Sequence, residues 1–519
     1  MFRPLSGLLV AAALLAPMHQ AQAFSILGSN ATWMVAAVGY NSGIDIGGPM
    51  FIGEGYRWNV PVLTYAFDDS FLTYYGSNGV VAVESAMKIL NNVPAADSMS
   101  ESMNEFPTYT LRHNNSAAAL GLLDVKTTAL SWMLTRIGVG APERWVYSLR
   151  QFFTDPANIQ HFSVLNPNYD PVTYQQTSVI NGTQFTYRIQ RYLPGDNYTT
   201  VNFPVDTAAP AFTTAAYYWQ SFVPFFQQGG SLAFAPGTYF PNITREEFAS
   251  IKYLYRTKNY AVETLLPDVV GGTISGLSVG AAGTGTGGTG GTGGSGGAPD
   301  DVWTPTYQVA VGGGAGNNPW SIVATSFGTN GATTGTGTVT TPVSTNTTSF
   351  VGTAVRPGVG KLAFARIGWD SILGATTKPY AVTWTDRYVI NGVLRTQKLS
   401  RSVTVPDFLF SAGDEGTVQH VPVTLVHSEN GDGFVNNSAL NRVGGAGEQV
   451  GPGIINTFNE LSFSKIGRYY LNENGVGSTQ DDAFLGISFG SFDGSTNAII
   501  VYPDATSIHA IEALVLRGR

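Results

Sequence analysis

The run Ser428-Glu429-Asn430-Gly431-Asp432-Gly433-Phe434-Val435-Asn436 sets oxygen-bearing residues at alternate positions around a central Gly. A hard cation such as calcium needs this spacing, with a sharp turn that brings the oxygens inward. Asn430, Asp432, the Phe434 carbonyl and Asn436 fall at the third, fifth, seventh and ninth positions of such a loop. Ser428 and Ala439 stand at its first and twelfth positions, where carboxylates are usual, so a calcium ion would be held weakly. The plain alternative is a Gly-Asp-Gly turn between strands. Calcium is the only cofactor the chain suggests. A second candidate is aromatic: Tyr217-Tyr218-Trp219, beside Phe222, Phe225 and Phe226, could form a platform for an extracellular glycan. Such residues more often serve core packing, because they bury large areas.

Catalytic patterns are weaker. Six His occur, none in an H-E-x-x-H motif. His420 and His427 lie an odd number apart on an expected strand and so face opposite ways. Gly486-Ile487-Ser488-Phe489-Gly490 matches the nucleophile elbow of serine hydrolases, with Asp493, Asp504 and His509 downstream. The elbow needs a helix after the Ser, whereas Ser491–Asn497 reads as a turn. The adjacent acids Asp68-Asp69, Glu246-Glu247 and Asp481-Asp482 do not by themselves set two carboxylates across a cleft, as glycosidase chemistry requires.

One stretch resembles a known family. Tyr56-Arg57-Trp58, Leu63-Thr64-Tyr65, the helical pattern Val80–Leu90 and Asn92-Val93-Pro94 follow one another, and Ala119-Leu120-Gly121-Leu122 comes next. The order is similar to the opening strand, first helix and Ala-Leu-Gly-Leu of matrixin-type metzincin peptidases, over residues 56–124. The resemblance implies that Asn114, Ala118 and Asp124 stand where the zinc ligands belong, and Asn115 where the general base belongs. Of the three, only Asp124 could bind a metal, so the resemblance implies an inactive scaffold. The helical pattern also runs on past Gly121, where the family's helix ends.

The elements that must position these residues follow from composition. The chain has 519 residues, 43% hydrophobic and only 12% charged, with a net charge of -8 and no basic block, so a nucleic-acid partner is not expected. It has no Cys, which removes disulfides, thiolate nucleophiles and Cys-ligated metals. Residues 1–23 read as a signal peptide: Arg3, the apolar run Leu5–Pro17, then Ala21-Gln22-Ala23 before Phe24. No later apolar run is long enough for a transmembrane helix. An exported bacterial protein is expected, extracellular, on the cell surface or in the periplasm.

A Gly/Thr-rich linker at 271–299 divides the remainder into an α+β domain at 24–270 and an all-β, sandwich-like domain at 300–519. The first should hold a strand within Trp58–Phe67 and helices from Ser77 or Asn78 to Asn91, over Ser116–Ile137 and over Glu143–Phe153. A capping box at Thr244-Arg245-Glu246-Glu247 should open a further helix to about Thr257. In the second, Tyr380–Ile390, Asn391-Gly392 and Val393–Val405 predict a hairpin, since Asn-Gly suits a type I′ turn. Other strands are expected at Lys361–Ile367, Val421–Val426, Phe484–Phe489 and Ala498–Val501. The whole favours a non-enzymatic structural or adhesive surface protein, able to self-associate because few charges repel. The alternatives are a secreted hydrolase of an extracellular polymer and a glycan- or calcium-binding module.

Overall fold

The computed structural model describes residues 23–28, 33–40, 48–49, 51–52, 55–192, 197–206, 236–266, 268–271, 326–327, 350–390, 392–413, 425–426, 452–455, 459–465, 488–494 and 499–503. In chain order the strands that matter are β1 (Phe24–Gly28), β2 (Val62–Phe67), β3 (Leu122–Asp124), β4 (Ser148–Thr154), β5 (Gln160–Leu165), β6 (Thr183–Tyr192), β7 (Asn197–Pro204), β8 (Tyr260–Thr264) and β9 (Val269–Gly271). They continue as β10 (Thr353–Pro357), β11 (Ala363–Arg366), β12 (Tyr380–Ile390), β13 (Val393–Val403), β14 (Phe408–Gly413), β15 (Asn459–Ser464) and β16 (Ser488–Ser491). The helices are α1 (Asp69–Asn91), α2 (Asn115–Ala119), α3 (Val125–Arg136), α4 (Pro142–Trp145) and α5 (Arg245–Tyr255). The described residues are strand-rich, and none of their helices is long and apolar enough to cross a membrane.

The central sheet has the order β11-β2-β14-β15, and every pairing in it is parallel. Parallel strands need long crossovers and are buried on both faces, which suits the nearly unbroken burial of Leu63 to Phe67. One face carries α1 and α3 through an aromatic core. Phe67 stacks on Phe410 at 5.6 Å, Phe71 on Tyr75 at 4.8 Å, and Phe463 meets Trp132 at 4.6 Å. Each such ring withdraws enough apolar area to stabilise the fold by roughly 1.5–3 kcal/mol. A second sheet runs β8-β10-β12-β13-β9, antiparallel throughout.

Both sheets join chain from the two sides of residues 271–299: β2 lies between β11 and β14, and β9 pairs with β13. Among the described residues of the 300–519 segment, the longer strands lie in sheets that include strands of the first segment. The strands at 363–366, 408–413 and 459–464 complete a helix-covered parallel sheet around a strand from the first segment.

Several local expectations hold. The hairpin forms with Tyr380 opposite Val403 and Ile390 opposite Val393, and Gly392 has φ +74°. Glu247 accepts from the Thr244 N–H at 2.5 Å as the capping box of α5. Three helices differ from expectation. The first starts at Asp69, where Asp68 caps it by accepting from Ser70 N, and Gly76 breaks it just before the expected start. The expected helix Ser116–Ile137 is two, because Gly121 takes φ +69° and Leu122–Asp124 extends to pair with β16. The expected helix Glu143–Phe153 stops at Trp145, and Ser148–Thr154 instead pairs with β5. There Phe152 packs 4.6 Å from Tyr198, a cross-element contact that outweighs local helix preference.

Candidate functional site

The residues singled out for ligands fall outside the described residues: Asn430, Asp432, Phe434 and Asn436, and likewise Tyr217, Tyr218 and Trp219. Asp481-Asp482, Asp504 and His509 lie outside them too. Ser488 opens strand β16, which runs to Ser491 with no helix behind it among the described residues. Of the residues at the metzincin-like positions, Asn114 and Asp124 cap helices, while Asn115 and Ala118 lie within α2. Asn114 accepts from Ala117 N at 3.0 Å to start α2 and donates to the Asp493 carbonyl at 2.9 Å. Asp124 starts α3, accepting from Thr127 N at 2.9 Å and from its hydroxyl at 2.6 Å. Burial pushes the Asp124 carboxyl up to about 6 against the pull of those two bonds. Among the described residues no three His, Asp or Glu converge as metal ligands.

Buried charges are numerous instead, and sequence reasoning missed them because their pairing follows no fixed spacing: Arg57 and Glu263 stand 206 residues apart, Arg356 and Asp386 30. Arg57 donates Nε to Glu263 at 2.5 Å and its terminal nitrogens to the carbonyls of Leu254, Asn259 and Arg356. Arg356 faces both oxygens of Asp386 at 3.2 Å and donates to the carbonyls of Glu263, Gly352 and Val351. Gln397 adds a bond to Asp386 at 2.7 Å. Burial raises the carboxyls of Glu263 and Asp386, while Arg57 and Arg356 draw them back. Arg401 grips Asp407 with two nitrogens at 3.0 and 2.6 Å and reaches Asp268 with the third at 2.5 Å. Asp407 also accepts from the Thr64 N–H and hydroxyl. Each of these guanidinium groups bonds to carbonyls or carboxylates of more than one neighbouring element. These groups fasten the sheets together.

That fastening matters for the surface above it. On hairpin β12–β13 the side chains of Val382, Asp386 and Tyr388 turn inward and Ala381, Thr383, Thr385 and Arg387 outward. Asp386 and Arg356 thus hold one face down. The other face carries Thr383, Thr385 and Thr396 with Arg387 and Lys398, and at the tip of the hairpin Val393 and Leu394 are 54% and 53% exposed. Counting from the two-residue turn, Leu394, Thr396 and Lys398 aim their backbone N–H and C=O away from β12. β9 pairs with β13 at Leu399–Arg401, and among the described strands none but β12 pairs with Val393–Lys398. Compared with protein-family profiles, curated proteins and solved structures, the chain matches none.

Proposed function

We propose that the mature chain, from Phe24 onward, is a non-enzymatic structural or adhesive protein of the bacterial cell surface that associates with further copies of itself through hairpin β12–β13. The observation that carries this reading is the outward-facing edge of β13 beside two exposed aliphatic side chains. A bare strand edge with an apolar tip is a template for another strand, unless charge or Pro blunts it. Here the charges do not oppose pairing. A second copy laid antiparallel with Thr396 opposite Thr396 sets Leu394 against Lys398 and Arg395 against Gln397, and no like charges meet. Twofold pairing of identical strands closes without exposing the contact further.

Sedimentation velocity of residues 24–519 tests the reading. Concentration-dependent dimers or larger assemblies are expected. Thr396→Pro removes only an outward N–H, so it should leave the fold intact and abolish the assemblies. A wild-type chain that stays monomeric at high concentration overturns the proposal, as does a Thr396→Pro variant that assembles unchanged.

A further inference from the structure

Between β11 and β12 the chain makes a short hairpin that pairs Trp369 with Thr376 and Asp370 with Ala375. At its tip Ile372 and Leu373 are 91% and 76% exposed, and no other large apolar side chain among the described residues exceeds 59%. Left this far in water, neither gains the burial that stabilises aliphatic side chains elsewhere. From Ser371 to Thr377 no residue carries a charge.

The tip is held firmly from below. Trp369 packs against the buried cluster of Ala66, Ile367, Val403 and Leu409. The Thr376 N–H donates to the Thr404 carbonyl at 2.9 Å, and the Asp69 N–H donates to the Ser371 hydroxyl at 2.9 Å. The amides of the apex are paired as well. Ile372 and Leu373 both donate to one carboxylate oxygen of Asp370 at 3.0 Å, and Gly374 donates to the Asp370 carbonyl at 2.9 Å. An apolar medium penalises an unpaired N–H, and these three carry their partners with them.

We infer that this tip inserts shallowly into a lipid bilayer, with Ile372 and Leu373 among the acyl chains just below the headgroups. A protruding aliphatic pair fits a fluid surface, whereas a protein partner would have to offer a pocket shaped to both side chains. The neighbouring charges set the depth and the kind of lipid. Asp69 is exposed and tied to Ser371 through its N–H, and Asp370 sits at the root of the turn, so two acidic residues stand at the base of the tip. Lys378 alone answers them within residues 369–378. Together with the net charge of -8, these acids disfavour an anionic surface and favour a zwitterionic one, whose outer ammonium groups suit them. A single myristoyl chain binds a bilayer with only about 10⁴ M⁻¹. Two shorter side chains should bind less tightly per copy, and an assembly that presents several tips should bind more tightly.

Co-sedimentation of residues 24–519 with phosphatidylcholine vesicles at millimolar lipid tests the inference, beside phosphatidylglycerol vesicles. The chain should partition onto the first and less onto the second. Ile372→Ser combined with Leu373→Ser, at exposed positions where folding is not at stake, should lower the partition roughly tenfold or more. Leu373→Trp places a fluorophore at the tip, and its emission, taken as the difference from wild type, should shift to the blue when vesicles are added. A wild-type chain that stays off phosphatidylcholine overturns the inference, as does stronger binding to phosphatidylglycerol. Equal partitioning of the double variant, or a Leu373→Trp emission that vesicles leave unchanged, overturns it too. So does loss of self-association by the double variant in lipid-free buffer, since the tip would then dock on a second copy. Thr396→Pro leaves the tip untouched and should still bind vesicles, so either proposal can fail alone.

Discussion

Arg57 and Glu263 meet at 2.5 Å although 206 residues of chain separate them, and their side chains are 1% and 0% exposed. The pair joins the segment leading into β2 to β8, an edge strand of the second sheet. Burying two charges costs several kcal/mol per ion, and the contact offsets this only because both terminal nitrogens of Arg57 reach carbonyls.

Removing one partner should therefore be far worse than removing both. Arg57→Met and Glu263→Leu singly should each lower unfolding free energy by about 3–5 kcal/mol, and the double variant by much less. Urea denaturation of the four members of this cycle measures the coupling. Additive losses would count against a paired role.

Asp407 ties strand β2, strand β13 and the loop before β9 together through Thr64, Arg401 and Asp268. Asp407→Ala should cost about 3–5 kcal/mol, since it strands a buried guanidinium. Arg401→Lys should not rescue the fold fully, because an ammonium cannot hold Asp407 with two donors and Asp268 with a third. Thermal unfolding of both variants checks the order of their losses.

Glu246 should make stability fall with rising pH. It is fully buried at the start of α5, Asn181 and Thr244 lie beside it, and neither carboxylate oxygen completes a hydrogen bond of good geometry. Burial pushes its carboxyl from 4.5 up to about 7. The folded state thus holds a proton that the unfolded chain releases. Its stabilising effect is complete below the unfolded value and is lost as pH rises from 4.5 through about 7. Asp124, raised to about 6, acts in the same direction. Glu246→Gln should remove most of the slope and add up to about 3 kcal/mol at alkaline pH. Denaturation at about pH 5 and about pH 8 reads it, and an unchanged slope would exclude Glu246 as its source.

Gly121 turns the chain from α2 into β3 with φ +69°, and a Cβ there would meet nothing within 4 Å. Gly121→Ala should then cost only backbone strain, about 1 kcal/mol. A much larger loss in chemical denaturation would mean that the turn is also crowded.

The features read correctly from sequence are those whose cause lies within a few residues. Gly392 suits the turn by the positive φ it tolerates, and the flanking alternation supplies its strands. Thr244 and Glu247 cap α5 because they stand three apart. The apolar stripe Val80, Val83, Met87 and Leu90 marks the second half of α1. Helix limits were less legible where a distant partner intervenes, as at Leu122–Asp124, which β16 draws into a strand.

Of the surface features, the exposed tip Val393-Leu394 could be anticipated from the hairpin, but the Arg150 guanidinium over the Trp33 ring could not. Trp33 and Arg150 are ordinary residues in sequence, and only folding lays one over the other.

The sequence by itself determined the strand-rich composition, the hairpin, the capped helices and the scarcity of charge, since these rest on local backbone preference and side-chain chemistry. The tertiary structure decided which strands neighbour one another and where the buried Arg residues find their acids. Parallel pairing leaves no short-range mark, because its partners are joined by long crossovers. A strand as apolar as Leu63–Phe67 can lie beside any other strand, and it lies between β11 and β14 because both its faces must be covered at once.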